Sequence, residues 1–217
     1  MKLVVVNGSP RGRKSNSDKI IEWPLSEMKL NKDLVYEKIY VVDLKERVKQ
    51  MDVLKSAEYI LVIFPLYTDS MPGITKDFFE HMERNKEFLT GKPISFIIHS
   101  GFPEACQSRN VEKYTEYFSK LLGMKYRGSI VMGGSEALTA APESMYRKKI
   151  KAFKSIARSI SKYKEFETID KIIISKPENL SKTALFFMKY LNTSNFFWNS
   201  LLKKNNAFEK RFDKPYL

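Results

Sequence analysis

Leu3-Val4-Val5-Val6-Asn7-Gly8-Ser9-Pro10-Arg11-Gly12-Arg13-Lys14-Ser15-Asn16-Ser17 is the stretch around which the chain is organised. Four apolar residues, three of them valine, make a short strand suited to burial on both faces of a sheet. Asn7-Gly8-Ser9-Pro10 breaks it, since proline cannot extend a central ladder and glycine permits a sharp turn. Ser15, Asn16 and Ser17 are good helix N-cap residues, and Ile20, Ile21, Leu25 and Met28 follow at helical spacing. A strand that runs through a hydroxyl-rich loop into a helix is a place for a phosphate. Free N–H groups, serine hydroxyls, the positive helix end and Arg11, Arg13 or Lys14 all favour a dianion there. The loop lacks the G-x-G-x-x-G of a dinucleotide fingerprint. It also misses the Walker pattern, because Gly8 and Gly12 stand one residue too close and Arg13 separates Gly12 from Lys14.

The 217 residues fit one large domain or one domain with an appendage, and 43% hydrophobic content is enough for an ordinary core. The opening residues do not read as a signal peptide, and no apolar run reaches the roughly 18 residues of a membrane span. Cys106 is the single cysteine, which excludes an internal disulfide or a CxxC pair, and with only His81 and His99 beside it a zinc site is not expected. A cytoplasmic protein without a metal is expected, so any redox chemistry needs an organic cofactor. The net charge of +13 draws anions. Much of it lies between Arg147 and Lys164, with eight basic residues and no acidic one. A solvated helix face explains that run better than a nucleic-acid site does.

Further strands are expected at 34–44, rich in β-branched and aromatic residues, and at 57–64, the most hydrophobic run of the chain. Two more are expected at 94–99 and 129–132. Helices are expected between them: one following Ser15-Asn16-Ser17, with Pro24 expected to kink or end it; a short piece at 52–56; one after Pro72; one at about 108–122; and a long basic one carrying Tyr146, Ile150, Phe153, Ala157 and Ile160. Strands alternating with helices imply an α/β protein with a doubly wound five-stranded parallel sheet, order 2-1-3-4-5. Residues 1–165 are assigned to that domain and 166–217 to a C-terminal helical extension. Its apolar run from Leu185 to Leu202 is expected to pack on the core or on a dimer partner, with an interfacial membrane contact as the less favoured outcome.

In such a sheet a ligand sits outside the carboxyl ends of the strands, near the switch between strands one and three. Loops Ser9–Ser17, Pro65–Pro72 and Ser100–Glu104 share that edge. If the first takes a phosphate, the flat or apolar surfaces of Pro65, Leu66, Tyr67 and Phe102 suit what the phosphate is attached to. A planar ring with polar edges fits them well, and Gly101 permits close backbone approach.

These three motifs, Gly8-Ser9-Pro10-Arg11 with Ser15-Asn16-Ser17, Pro65-Leu66-Tyr67 with Met71-Pro72, and Ser100-Gly101-Phe102-Pro103-Glu104, resemble the flavodoxin-like NAD(P)H-dependent FMN reductases. The resemblance is to the branch near the iron–sulfur flavoproteins and NAD(P)H:quinone-type oxidoreductases, over about residues 2–163, without the cluster cysteines. It implies FMN as cofactor and NAD(P)H as co-substrate. Ser9, Arg11, Ser15, Asn16 and Ser17 would hold the phosphate. Pro65, Leu66, Tyr67 and Asp69 would line one side of the ring system, and Ser100, Gly101, Phe102 and Glu104 the other. It further implies a homodimer and a ping-pong oxidoreductase passing hydride to a small acceptor such as a quinone, nitro compound or flavin, with no protein nucleophile. The alternatives are a flavodoxin-like electron carrier, a P-loop nucleotide enzyme (disfavoured, since Pro65 stands where a magnesium-binding acid is wanted), and a fold that has lost its flavin. His99 is read as a hydrogen-bonded structural residue and Cys106 as packing.

Overall fold

The computed structural model describes residues 1–139, 141–190 and 193–214; the side chains of 187–190 and 193–197 are outside the description. The side chains of the expected apolar tail residues Phe187, Met188, Tyr190, Phe196 and Phe197, and the whole of Leu191, therefore lie outside what is described.

Five strands form one parallel sheet: β1 (Lys2–Asn7), β2 (Val35–Tyr40), β3 (Tyr59–Pro65), β4 (Pro93–His99) and β5 (Lys125–Met132). Their order is β2-β1-β3-β4-β5, as expected from the alternation of strands and helices. Successive side chains of each strand go to opposite faces, which builds two cores. Leu3, Val5, Tyr59, Leu61, Ile63 and Ile97 pack under α1 (Asn16–Met28), α5 (Arg147–Ser161) and α6 (Thr168–Ser175). Val4, Val6, Ile60, Val62, Phe64 and Phe96 pack under α2 (Arg47–Lys55), α3 (Gly73–Arg84) and α4 (Arg109–Leu121). Every residue of β3 is buried, the signature of a central parallel strand.

Some boundaries differ from the sequence reading for physical reasons. α1 runs through Pro24 to Met28. A proline inside a helix costs about 3 kcal/mol. Beyond it Leu25 and Met28 are buried, and two such side chains offset that loss at roughly 1.5–3 kcal/mol each. β5 begins four residues earlier than the apolar run 129–132, because Lys125 and its neighbours pair with Pro93 and Ile94 despite a register shift before Phe96. α2 starts at Arg47, whose guanidinium is buried between Gln50 Oε1 (2.7 Å) and Asp77 Oδ2 (2.8 Å). A buried arginine with two such acceptors is stable, but its charge hides it from a search for apolar periodicity.

The chain divides into two compact units, 1–179 and 180–217. The first takes in α6, which the sequence reading had placed with the extension; its Ile174, and Phe166 before it, belong to the core beneath α5. In the second unit α7 (Lys182–Tyr190) and α8 (Thr193–Lys204) form a helical pair. Among the described residues no helix is long and apolar enough to cross a membrane.

One half-buried cation gives a pH test of the α5–α6 packing. Lys149 Nζ donates to the Ile174 carbonyl at 2.7 Å, and burial pushes its pKa down to about 8. The unfolded chain then holds the proton more tightly than the folded one, so this group's contribution to stability rises as pH goes from about 8 toward 10.5. Denaturant unfolding of wild type and Lys149→Met at neutral pH and near pH 10 should differ by a change of about 1 kcal/mol in favour of wild type, discounted for the solvent that still reaches the group. A pH-independent difference contradicts the burial of this ammonium.

Candidate functional site

The loops after β1, β3 and β4 meet at the carboxyl edge of the sheet, where β1 and β3 lie side by side and the winding reverses. Together they wall a cleft of about 40 Å3. Ser9, Arg11 and Asn16 come from the first loop, Pro65, Leu66 and Tyr67 from the second, and Gly101 from the third. Three further wall residues were not assigned from sequence: His99, and Ser135 and Glu136 from a fourth loop behind β5. Gly133-Gly134 opens that loop in the sequence, but nothing in the composition distinguishes the residues after it.

The first loop is held by its own hydrogen bonds. Asn7 Oδ1 accepts the Ser9 N–H (2.9 Å), and Ser9 Oγ accepts the Arg11 N–H (3.2 Å). Gly8 permits a close approach: its carbonyl accepts Thr75 Oγ1–H at 2.5 Å, and a Cβ there would lie 2.9 Å from Phe64 Cβ. Ser15 is the N-cap of α1, its Oγ accepting the Asp18 N–H at 3.1 Å. The N–H groups of Asn16 and Ser17, the first two of the helix, have no hydrogen-bond partner among the described residues. They, with Ser9 Oγ–H and the exposed Arg11, are the donors offered to an anion.

The side chains expected on the phosphate divide. Asn16 lies on the cleft wall, with Nδ2 donating to the Ser135 carbonyl at 2.9 Å. Ser15 and Ser17 face inward and are buried. Ser15 Oγ donates to the Gly12 carbonyl (2.6 Å), and Ser17 Oγ bonds His99 Nε2 (2.7 Å). Helix geometry explains this, since an N-cap hydroxyl turns back onto its own helix and the second helical residue lies on the core side. Arg13 is drawn away by Asp43 (3.0 Å) and stacks over Tyr40 at 4.2 Å.

The second loop is a two-residue turn. Tyr67 N–H donates to the Ser70 carbonyl (2.7 Å) and Ser70 N–H to the Tyr67 carbonyl (3.2 Å), with Thr68 at φ +48° and Asp69 at φ +65°. Two consecutive left-handed residues make the type I′ geometry, which prefers Asn-Gly; a β-branched threonine there is strained. Thr68→Asn should therefore raise the unfolding free energy by about 1 kcal/mol, read by urea titration, and unchanged stability would mean that the turn relaxes in solution. Asp69 sits exposed at the tip, off the cleft wall.

In the third loop Ser100 is buried and donates to the Phe102 carbonyl at 3.1 Å, and Glu104 is half-buried off the wall. Tyr67 is on the wall and 44% exposed, whereas Phe102, 51% exposed, is not among the wall residues. The enclosed space, far below the roughly 300 Å3 of a typical small-molecule pocket, has the size for a small anionic group and is too small for a tricyclic ring. Glu136 is an acceptor on the wall, suited to ring N–H or ribityl hydroxyl donors rather than to phosphate. The donors at this cleft suit the phosphate of a cofactor such as FMN. A larger groove of about 520 Å3 lies farther along α1 against α5, lined by Trp23 and Tyr146, and contains none of the expected site residues. Among the described residues no cluster of acidic, histidine and cysteine side chains is placed to hold a metal.

Comparison with known proteins agrees with this architecture. A family model described as a flavodoxin-like fold matches residues 1–156. No curated protein is a significant match. Among solved structures, an NADH:FMN oxidoreductase in its apo form is similar at a TM-score of 0.59 and 20% identity, covering 81% of this chain and 96% of its own. An NADPH-quinone reductase from P. pentosaceus is similar at 0.55 and 16%, covering 72% and 97%. An FMN-dependent NADH-azoreductase from Bacillus anthracis, in complex with FMN, is similar at 0.54 and 16%, covering 72% and 97%. At these identities the likeness is one of fold.

Proposed function

The chain belongs to the flavodoxin-like fold family, and from that premise we propose that it is an FMN-dependent NAD(P)H oxidoreductase. The observation that carries the reading is the convergence of three loops on one cleft whose wall includes Asn16 and the exposed Arg11, at a helix start where the Asn16 and Ser17 N–H groups have no partner among the described residues. The solved structures named above add support, since one of them is described as an FMN complex.

When bound, FMN supplies the hydride chemistry, accepting from NAD(P)H and passing to a small acceptor such as a quinone, nitro compound or flavin in two half-reactions. The protein's part is to bind and orient. Asn16 and Ser17 N–H, Ser9 Oγ–H and Arg11 hold the phosphate dianion, and the helix end adds its dipole. Pro65 and Leu66 form a rigid floor. Tyr67 and Phe102 would give the ring flat surfaces, and the Thr68 and Asp69 N–H groups, without a hydrogen-bond partner among the described residues, would be donors for its polar rim. No side chain has to form a covalent bond. The net charge of +13 favours approach of an anionic nicotinamide nucleotide. A homodimer in which a second copy covers the exposed Tyr67 and Phe102 completes the reading.

Anaerobic mixing of the FMN-loaded protein with NADPH or NADH tests it. Bleaching of the flavin absorbance, reversed by adding a quinone, is the expected result. A flavin bound but reduced by neither nucleotide would make the protein an electron carrier instead.

A further inference from the structure

His99 closes β4, is buried, and takes no part in the chemistry proposed above, yet both its ring nitrogens are bonded within the site. Nδ1 lies 2.8 Å from Ser135 Oγ and Nε2 lies 2.7 Å from Ser17 Oγ. The hydroxyl protons fix the direction of the chain. Ser135 Oγ is 2.9 Å from the Ser100 carbonyl, which can only accept, so the one proton of Ser135 goes there. Ser135 Oγ must then accept from His99, which places the proton on Nδ1. Burial holds the ring neutral, with its pKa pushed down to about 3, so Nε2 is an acceptor and Ser17 Oγ–H donates to it.

The result is a directed relay, Ser17 to His99 to Ser135 to the Ser100 carbonyl, joining the first turn of α1 to the third and fourth loops. Ser135 ties the same parts a second time, its N–H donating to the Ser100 carbonyl (2.8 Å) and its own carbonyl accepting from Asn16 Nδ2 (2.9 Å). With its hydroxyl proton committed inward, Ser17 can offer an anion only its N–H.

The geometry points to His99 as a positioning residue for the anion cradle: it ties Ser17 to Ser135 and so fixes the start of α1, with its free Asn16 and Ser17 N–H groups, against the fourth loop of the cleft. This rests on the flavin reading for the identity of the anion, not for the relay itself.

Three measurements test it. Dissociation constants of FMN and riboflavin, which differ by the phosphate, are compared for wild type, His99→Leu, His99→Asn and Ser17→Ala. FMN binding should weaken about tenfold in His99→Leu and Ser17→Ala, the size of one charge-assisted hydrogen bond, with riboflavin changed by less than about twofold. His99→Asn keeps a donor toward Ser135 and should fall between. Equal weakening of both flavins, or no change in either, overturns the proposal; Ser17→Ala gives the same reading should His99→Leu not fold. Nitrogen NMR of the unloaded protein should find His99 in the Nδ1–H form without titration between about pH 5 and 8, and an Nε2–H or titrating ring overturns it. Inorganic phosphate should shift the amide signals of residues 16 and 17 in wild type, and at the same phosphate concentration by less in Ser17→Ala. That shift in a protein that takes no FMN would defeat the flavin reading and leave the positioning role standing; its absence from wild type defeats the role.

Discussion

A Gly133→Ala variant is expected to unfold with a free energy lower by about 2–3 kcal/mol, a fall in midpoint of roughly 5–10 °C, and to bind FMN more weakly at temperatures where it is still folded. A Cβ on Gly133 would come within 3.0 Å of three backbone atoms, the oxygen and carbon of the Pro103 carbonyl and the Phe102 oxygen. None of these can turn away as a side-chain tip would. The third loop must shift, and with it the Gly134 N–H to Phe102 carbonyl bond at 2.6 Å, which ties that loop to the fourth. Thermal unfolding followed by circular dichroism, paired with an FMN titration, reads both effects. A variant with the wild-type midpoint would mean that the two loops do not touch in solution.

Phe79→Ala should cost more stability, about 3–5 kcal/mol, and leave the cleft alone. Phe79 stacks on Phe118 at 4.5 Å and meets Phe64 and Phe96 edge-on at 6.0 and 6.2 Å. It is fully buried where α3 and α4 cover the sheet, so truncation leaves a cavity bounded by three other rings. None of the four rings lines the cleft. Urea unfolding should show the loss, while FMN affinity measured without urea stays near wild type. A loss below about 1 kcal/mol would contradict the packing of this face.

The sheet order and the meeting of three loops were legible because both follow from gross patterning. Fully buried strands read as unbroken apolar runs, and turns at the carboxyl edge announce themselves through Gly, Pro and small polar residues. Side-chain direction was not legible. Ser15, Asn16 and Ser17 look alike as donors, yet only Asn16 turns to the cleft, because helix phase decides and a one-residue difference reverses the outcome. Arg13 and Arg11 are equally basic; Asp43, thirty residues away, removes one of them. The fourth loop escaped notice because Ser135 matters through His99 and Ser100, partners that only the fold brings near. His99 was read as a bonded structural residue, and its bonds are those the structure places at both ring nitrogens. The early start of β5 and the buried Arg47 share one cause: polar residues paired by partners distant in sequence carry no periodic signal.

Equilibrium titration of the purified protein with FMN is the most direct test of the central claim that the three loops bind this cofactor through its phosphate. The account predicts saturable binding of one FMN per chain, weakened about tenfold by Arg11→Ala through loss of a charge-assisted contact. Absence of saturable binding, or binding indifferent to Arg11, would contradict it.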